Sequence, residues 1–176
     1  MAITLLYLIG TGRFSPESLS INVSATTKRT DENFFTGTYV TQAGTGRFST
    51  KSTSQNTASR AYKFAQKEHR LRIEHRRFND YNGNSYYVFK WSPDRSSSVF
   101  QSVSFVSGRE FNLDNNNRQS DATQGRITIE EKKWVERYKK GSDTKLLVKR
   151  VFKDDGIISV TYEAAGTIYY KKFEKV

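Results

Sequence analysis

The C-terminal third of the chain, Trp134 to Val176, alternates apolar and polar residues in four segments. Three short connections separate these segments, at Gly141–Asp143, Lys153–Gly156 and Ala164–Gly166, and each contains glycine. Alternation with a period of two is typical of strands that bury one face, and short glycine-containing turns join antiparallel neighbours. The pattern therefore predicts an up-and-down antiparallel meander.

A similar pattern extends upstream and predicts further strands. These are Phe34–Gln42, Leu71–His75, Tyr86–Trp91, Val99–Val106, Arg109–Leu113 and Arg126–Glu130. A long meander exposes two unpaired edges, and closing the sheet into a barrel removes both. The predicted fold class is mainly β, a closed antiparallel up-and-down β-barrel of about ten strands. The interior of a barrel of this size can hold one small ligand.

One stretch, residues 47–66, suits a helix. Its best part is Ser59–Ala65, because the many serine and threonine residues of 49–59 are weak helix formers. Residues 1–32 have no sustained period, so we expect an N-terminal extension there, disordered or signal-like. The barrel domain is then expected to span residues 33–176.

The apolar run at Met1–Gly10 has about the length of a signal-peptide core. It lacks a basic start and a small-residue cleavage site directly after it. We therefore expect a cytoplasmic protein, with secretion as the alternative if residues 1–25 act as a signal segment. No segment reaches the roughly 20 apolar residues that span a bilayer.

The amino-acid composition limits the kinds of functional site that the chain can form. The 176 residues include no cysteine, which excludes disulfides, thiolate metal sites and cysteine nucleophiles. The formal net charge of +11 suits either a solvated basic surface or an anionic partner such as nucleic acid or a membrane. The basic residues are spread along the chain, which favours the solvated surface.

Catalytic and metal-binding patterns are weak. The chain has no Gly-x-Ser-x-Gly sequence, so a serine triad has no support. His69 and His75 alternate onto one side of a strand, but two histidines without cysteine make a poor zinc site. We expect no enzyme activity, no cofactor and no metal site.

Five motifs occur in an order that resembles the intracellular lipid-binding proteins, the fatty-acid-binding and cellular retinoid-binding proteins of the calycin superfamily. The resemblance covers about residues 34–176. The motifs are Phe35–Tyr39, Ala58–Arg60, Phe105–Phe111, Leu147–Lys149 followed by Asp155-Gly156, and Gly166–Lys175. The resemblance implies a ten-stranded barrel with a helix-turn-helix lid over one end.

The resemblance also places a ligand-carboxylate site at Lys149, Lys171 and Phe173. These positions depart from the family, which usually has arginine at the first two and tyrosine at the third. Lysine lacks the two-point guanidinium fork, and phenylalanine lacks the hydroxyl donor. We therefore expect weaker binding of acids, with neutral or bulkier apolar ligands tolerated.

The function that the resemblance implies is non-enzymatic binding and intracellular transport of a hydrophobic ligand, such as a fatty acid or retinoid. The ligand would enter at a lid and portal formed by Arg60, Phe64 and the turn at Pro93. A monomer is expected, with transient contacts to anionic membranes.

Two alternatives remain open. A barrel of this fold without lipid cargo would act as a soluble or protective protein. A basic nucleic-acid-binding β module would instead stack bases on Tyr86, Tyr87, Phe89 and Trp91. Nucleic acid is the less favoured partner, since alternation predicts that these rings line the barrel interior.

Overall fold

The computed structural model describes residues 33–77, 85–113 and 122–176. The predicted extension at residues 1–32 lies outside these residues. Within them the chain forms one helix, α1 (Arg60–Gln66), and eleven strands. The strands are β1 (Gly37–Thr41), β2 (Arg47–Phe48), β3 (Arg70–Arg77), β4 (Ser85–Ser92), β5 (Gln101–Phe105), β6 (Glu110–Asn112), β7 (Gln124–Glu130), β8 (Lys133–Lys140), β9 (Asp143–Phe152), β10 (Ile157–Ala164) and β11 (Thr167–Lys175).

The strands form one antiparallel sheet with the order β5-β4-β3-β1-β11-β10-β9-β8-β7-β6. β1 pairs with β11, which joins the two halves of the sheet, and β2 pairs with β11 farther along. The sheet curls into a barrel. Closure is not complete, because β5 and β6 at the ends of this order share no ladder among the described residues. The predicted mainly β, up-and-down barrel is confirmed.

Short turns connect the C-terminal strands, with two residues between β8 and β9 and between β10 and β11, and four residues between β9 and β10. Between β10 and β11, Ala164 pairs with Thr167, and the two intervening residues, Ala165 and Gly166, have φ angles of 47° and 76°. Positive φ at both central residues matches the right-handed twist of a hairpin, and glycine adopts it without strain. The predicted meander of Trp134–Val176 is therefore confirmed in order and pairing.

The predicted helix-turn-helix lid is reduced to α1 in the described residues. Ser59 caps α1, since its Oγ accepts a hydrogen bond from the backbone N–H of Tyr62 at 3.3 Å. The expected first lid helix is wrong: Phe48 pairs with Tyr169 as part of β2, and Ser52 donates its hydroxyl to the carbonyl of Gly166. Serine and threonine side chains that bond to backbone groups compete with helix formation.

The core fills the barrel from one end to the other. α1 packs against β9, β10 and β11 at one end, which we call the lid end. At the opposite end, the base, Phe35 lies 4.8 Å from Phe152 and 5.4 Å from Trp134 between ring centroids. All three of these side chains are buried, so the base is closed by aromatic packing.

Candidate functional site

The alternation of side chains along β9 determines which basic residue points into the barrel. Leu146, Val148, Arg150 and Phe152 are buried, whereas Lys149 is half-exposed on the outer face and lies 3.9 Å from a carboxylate oxygen of Glu163. The expected inward orientation of Lys149 is therefore wrong. A shift of one residue exchanges the two faces of a strand, and Arg150 is the inward cation here.

Lys171 and Phe173 point inward from β11 and are buried. The Nζ of Lys171 donates to the carbonyl of Ala65 at 2.7 Å and to the carbonyl of Glu68, and it lies 5.5 Å from the ring centroid of Phe173. These carbonyls belong to the end of α1 and the turn that follows it. Lys171 thus fastens the C-terminus of α1 to β11, and binding of a ligand carboxylate by Lys171 and Phe173 stays a prediction.

Arg150 lies at the centre of a fully buried group of ionisable side chains. Its Nη1 and Nη2 donate to the two carboxylate oxygens of Glu68 at 2.9 and 2.7 Å. Its Nε donates to Glu136, and Nη2 also reaches this carboxylate at 3.3 Å. Tyr162 donates its hydroxyl to Glu68, and Tyr138 donates to Glu136 at 2.9 Å. We call these five residues the buried ion cluster.

Burial and neighbouring charges shift the titration of these groups. Burial raises the pKa of Glu136 above its ordinary value, although contact with Arg150 acts in the opposite direction. Burial also raises the pKa of Tyr138 and Tyr162 well above the usual value, and the carboxylates beside them add to the shift. Burial lowers the pKa of Lys171 to about 8.

The two glutamates occupy the hydrogen-bonding directions with which Arg150 would hold a ligand carboxylate. A guanidinium group binds a carboxylate best through two parallel N–H donors, and Glu68 takes that bidentate place. The opposite side of the guanidinium, including Nε, faces Glu136. A ligand carboxylate could bind Arg150 only after one of the two glutamates had moved.

Side chains in contact span the barrel from lid to base. Phe64 of α1 lies 5.6 Å from Tyr138 between ring centroids, and Tyr138 bonds to the glutamate that holds Arg150. The guanidinium of Arg150 lies 4.6 Å from the centroid of Phe89, which in turn lies 6.1 Å from Trp134. The chain's own side chains therefore occupy the centre of the barrel.

Four pockets formed by the described residues lie away from the centre of the barrel. They lie on the outer face of the sheet and at the base, and none of them is lined by a member of the buried ion cluster. Because the chain's own side chains occupy the centre of the barrel, a ligand there would require some of them to move. Phe64 is one of these side chains, and it reaches inward from the short helix α1.

The predicted portal residues lie at different positions around α1. Arg60 begins the helix, and Phe64 is buried beneath it. Pro93 is exposed in the turn after β4, and the backbone N–H of His69 donates to the carbonyl of Ser92 at 2.8 Å beside it. The structure thus brings the Pro93 turn close to the segment that follows α1, whereas Arg60 lies at the other end of the helix.

The other candidates from the sequence find no support as sites. Phe89 and Trp91 of β4 are buried in the core, so their faces are not offered to nucleic-acid bases, whereas Tyr86 and Tyr87 are half-buried. Across residues 33–77, 85–113 and 122–176, no group of three or more histidine, aspartate or glutamate side chains is placed to hold a metal ion. The helix that the structure describes is too short and too polar to cross a membrane.

The buried ion cluster was missed by sequence reasoning, although β8 carries a sign of it. Glu136 alternates with Trp134 and Tyr138 and therefore shares their buried face. A carboxylate between two large aromatic residues on one face of a strand needs a buried partner. Glu68 gives no comparable sign, because it lies in the turn between α1 and β3.

No protein-family model matches the sequence, and no curated protein matches it. Solved structures do resemble it. The wild-type fluorescent protein UnaG is 14% identical, with a TM-score of 0.55, covering 81% of this chain and 97% of its own. The fatty-acid-binding protein 1 of Echinococcus granulosus is 14% identical, with a TM-score of 0.54, covering 82% and 98%.

A third similar structure is the secretory abundant heat soluble protein 4 of Ramazzottius varieornatus. It is 12% identical, with a TM-score of 0.53, and the match covers 84% of this chain and 97% of that protein. The chain therefore has the fold of the fatty-acid-binding proteins. The resemblance inferred from the sequence motifs is confirmed at the level of the fold.

Proposed function

We propose that this chain binds a hydrophobic small molecule inside the barrel, without catalysis, and that it prefers a neutral ligand to a carboxylic acid. The observation that carries the preference is the bidentate pair between Glu68 and Arg150. A fatty acid would bring a third carboxyl group to a guanidinium that already binds two. The fold supports hydrophobic ligand binding in general terms, and the site supports the preference.

The electrostatic argument rests on burial. Glu68, Glu136 and Arg150 are fully buried, and an unpaired carboxylate there would be very costly. A fatty-acid anion that displaced Glu68 would leave that glutamate without its guanidinium partner. An alcohol, ester or hydrocarbon avoids this exchange and needs only apolar contacts and one neutral hydrogen bond.

The lid end is where we place the ligand. α1 buries Ala61, Phe64 and Ala65 against the barrel, and it is a short helix of seven residues. A helix of this length has little stability of its own and depends on packing. Outward movement of α1 would withdraw Phe64 and open the space above Tyr138 and Tyr162. We further propose that the chain is a monomer and that it transports this ligand within the cytoplasm.

A competition experiment tests the head-group preference. Nile red, a neutral apolar dye, is bound to the purified full chain and displaced with hexadecanol or with palmitate at pH 7. We expect the alcohol to compete at least tenfold better than the acid, equivalent to about 1.4 kcal/mol. Equal competition by both would contradict the preference, and failure of both to displace a bound dye would contradict lipid binding.

A matched pair of variants assigns the effect to the cluster. Glu68→Gln keeps the shape of the side chain and removes its charge, so palmitate should compete better than with the wild-type chain. Glu163→Gln removes one glutamate charge from the outer face and should leave both competitors unchanged. An equal gain in both variants would mean that overall charge, and not Arg150, controls selection.

A second function is favoured by the filled interior. The contacts that run from Phe64 through Arg150 to Trp134 suit a barrel without cargo that acts as a soluble, protective protein. The similar heat soluble protein of Ramazzottius varieornatus has the same fold. Native mass spectrometry separates the two functions: a mass without lipid, absence of Nile red binding and retained solubility after heating would favour this second function.

A further inference from the structure

The outer face of β3, β4 and β5 carries a basic pocket that is separate from the barrel interior. Its volume is about 370 Å³. Register aligns Arg72 with Lys90 and Lys90 with Ser102 across the three strands, so these side chains share one row on the outer face. The pocket is lined by Arg70, Arg72, Lys90, Ser98, Phe100 and Ser102.

Positive charge exceeds negative charge around this pocket. The carboxylate of Glu74 is shared by three cations: Lys90 Nζ lies at 2.6 Å, Arg72 Nε at 3.1 Å, and Arg76 also contacts it. These contacts hold the pKa of Glu74 below its usual range, with the hydrogen bond from Lys90 as the largest cause. One carboxylate cannot neutralise three cations, and Arg70 adds a fourth.

Arg70 is held in place but retains bonding capacity. Its Nη1 donates to the carbonyl of Ser97 at 3.2 Å, and its guanidinium lies 5.7 Å from the centroid of Phe100. The Nε of Arg70 is buried and has no hydrogen-bond partner within the described part of the chain. Arg70 thus carries an unsatisfied donor in a side chain that lines the pocket, and such a donor gains a hydrogen bond if an anion reaches it.

We propose that this pocket binds the phosphate group of an anionic ligand. Arginine offers planar, multiple N–H donors to phosphate oxygens, lysine adds a point charge, and serine hydroxyls can donate as well. The volume exceeds that of inorganic phosphate, and the ring of Phe100 supplies an apolar wall for the group attached to it. The ligand is a phosphate ester.

Two sources share this chemistry, a free phosphate ester and a phospholipid headgroup. Val99 lies between Ser98 and Phe100 and is 76% exposed, so an apolar side chain projects beside the basic pocket. At a membrane surface, that side chain could enter the interfacial layer while the pocket holds a headgroup. Free esters need the pocket alone, which separates the two sources experimentally.

Titration of the full chain with glycerol 3-phosphate tests the free source. Co-sedimentation with phosphatidylcholine vesicles containing one part in five phosphatidic acid, against pure phosphatidylcholine vesicles, tests the headgroup source. Saturable binding in either arm supports the proposal. In whichever of the two assays shows binding, the double variant Arg72→Gln/Lys90→Gln should lose affinity by roughly tenfold or more, since charge-assisted hydrogen bonds are lost.

The control removes the same charge from the opposite side of the barrel. Lys149→Gln/Lys172→Gln changes two outward lysines of β9 and β11 and should lose less than threefold in affinity. Equal losses in the two double variants would overturn the proposal, as would binding in neither arm. Nile red binding by the first double variant should match wild type, so this result is independent of the proposal for the interior.

Discussion

The guanidinium of Arg150 and the carboxylate of Glu68 form a bidentate pair that is completely buried, although 82 positions separate the residues in sequence. Arg150 belongs to β9, and Glu68 lies two residues after the last residue of α1. The pair therefore ties the helix at the lid end to the wall of the barrel. Loss of either partner leaves a buried charge without its counter-charge.

Replacement of Arg150 should be far more damaging than replacement of the residue before it. We expect Arg150→Met to lower the free energy of unfolding by about 3–5 kcal/mol, because two buried carboxyl groups lose their partner. Lys149→Met, which affects only an exposed ion pair, should cost less than about 1 kcal/mol. Urea denaturation followed by circular dichroism measures both.

A combined variant tests the cause of that loss. Arg150→Met together with Glu68→Leu and Glu136→Leu removes the buried charges as a set and replaces them with apolar side chains. This triple variant should be more stable than Arg150→Met alone, since no unpaired charge remains. If it is less stable, packing volume and not charge dominates at this position.

The titration of Lys171 should be visible in the pH dependence of the free energy of unfolding. Burial lowers its pKa to about 8, whereas the unfolded chain retains the ordinary value of 10.5. Between these values the unfolded state binds more protons, so stability increases with pH. The full increase is on the order of 3 kcal/mol. Above pH 10 the raised pKa values of Tyr138 and Tyr162 oppose it, because unfolded tyrosines ionise first.

Urea midpoints measured from pH 7 to pH 10 check this expectation. Lys171→Met removes the titrating amine and should abolish the increase between about pH 8 and pH 10. Lys172→Met, which changes the neighbouring exposed lysine, should retain it. A wild-type profile that is flat or falling over this range would contradict the assignment.

Strand order and pairing in the C-terminal meander could be predicted because local alternation and turn residues determine them. Residues 134–176 have one apolar face per strand and glycine at or beside each turn, and the structure follows both. The expected first lid helix could not be excluded in this way, since Ser52 and its neighbours are fixed by bonds to Gly166, more than one hundred residues away.

The candidate site was harder to predict than the fold. Family spacing placed the interior cation at Lys149, but the buried face of β9 holds three apolar residues together with Arg150. Counting apolar residues on each face would have favoured Arg150. The role of Glu68 follows only from three-dimensional contact, because a glutamate in a turn ordinarily lies in solvent.

Aromatic packing at the base gives a prediction about the core. Phe35 is fully buried between Phe152 and Trp134, whereas Phe34 beside it is only partly buried. We expect Phe35→Ala to cost about 3–5 kcal/mol through lost burial and the cavity left behind. Phe34→Ala should cost less than half as much, and equal losses would show that Phe35 is not the central contact.

The cap of α1 should control opening of the lid without controlling the stability of the barrel. Ser59→Ala removes the acceptor for the Tyr62 N–H and should weaken the helix by about 1 kcal/mol, roughly a fivefold increase in local opening. Hydrogen exchange at the amides of α1 should accelerate by that factor, while amides of β9 and β10 keep their protection.

Stopped-flow association of Nile red should quicken in parallel if the ligand enters beneath α1. Ser104→Ala, on the exposed face of β5, serves as the control and should alter neither rate. Equal acceleration in α1 and β9 would mean that the helix opens only when the whole barrel unfolds.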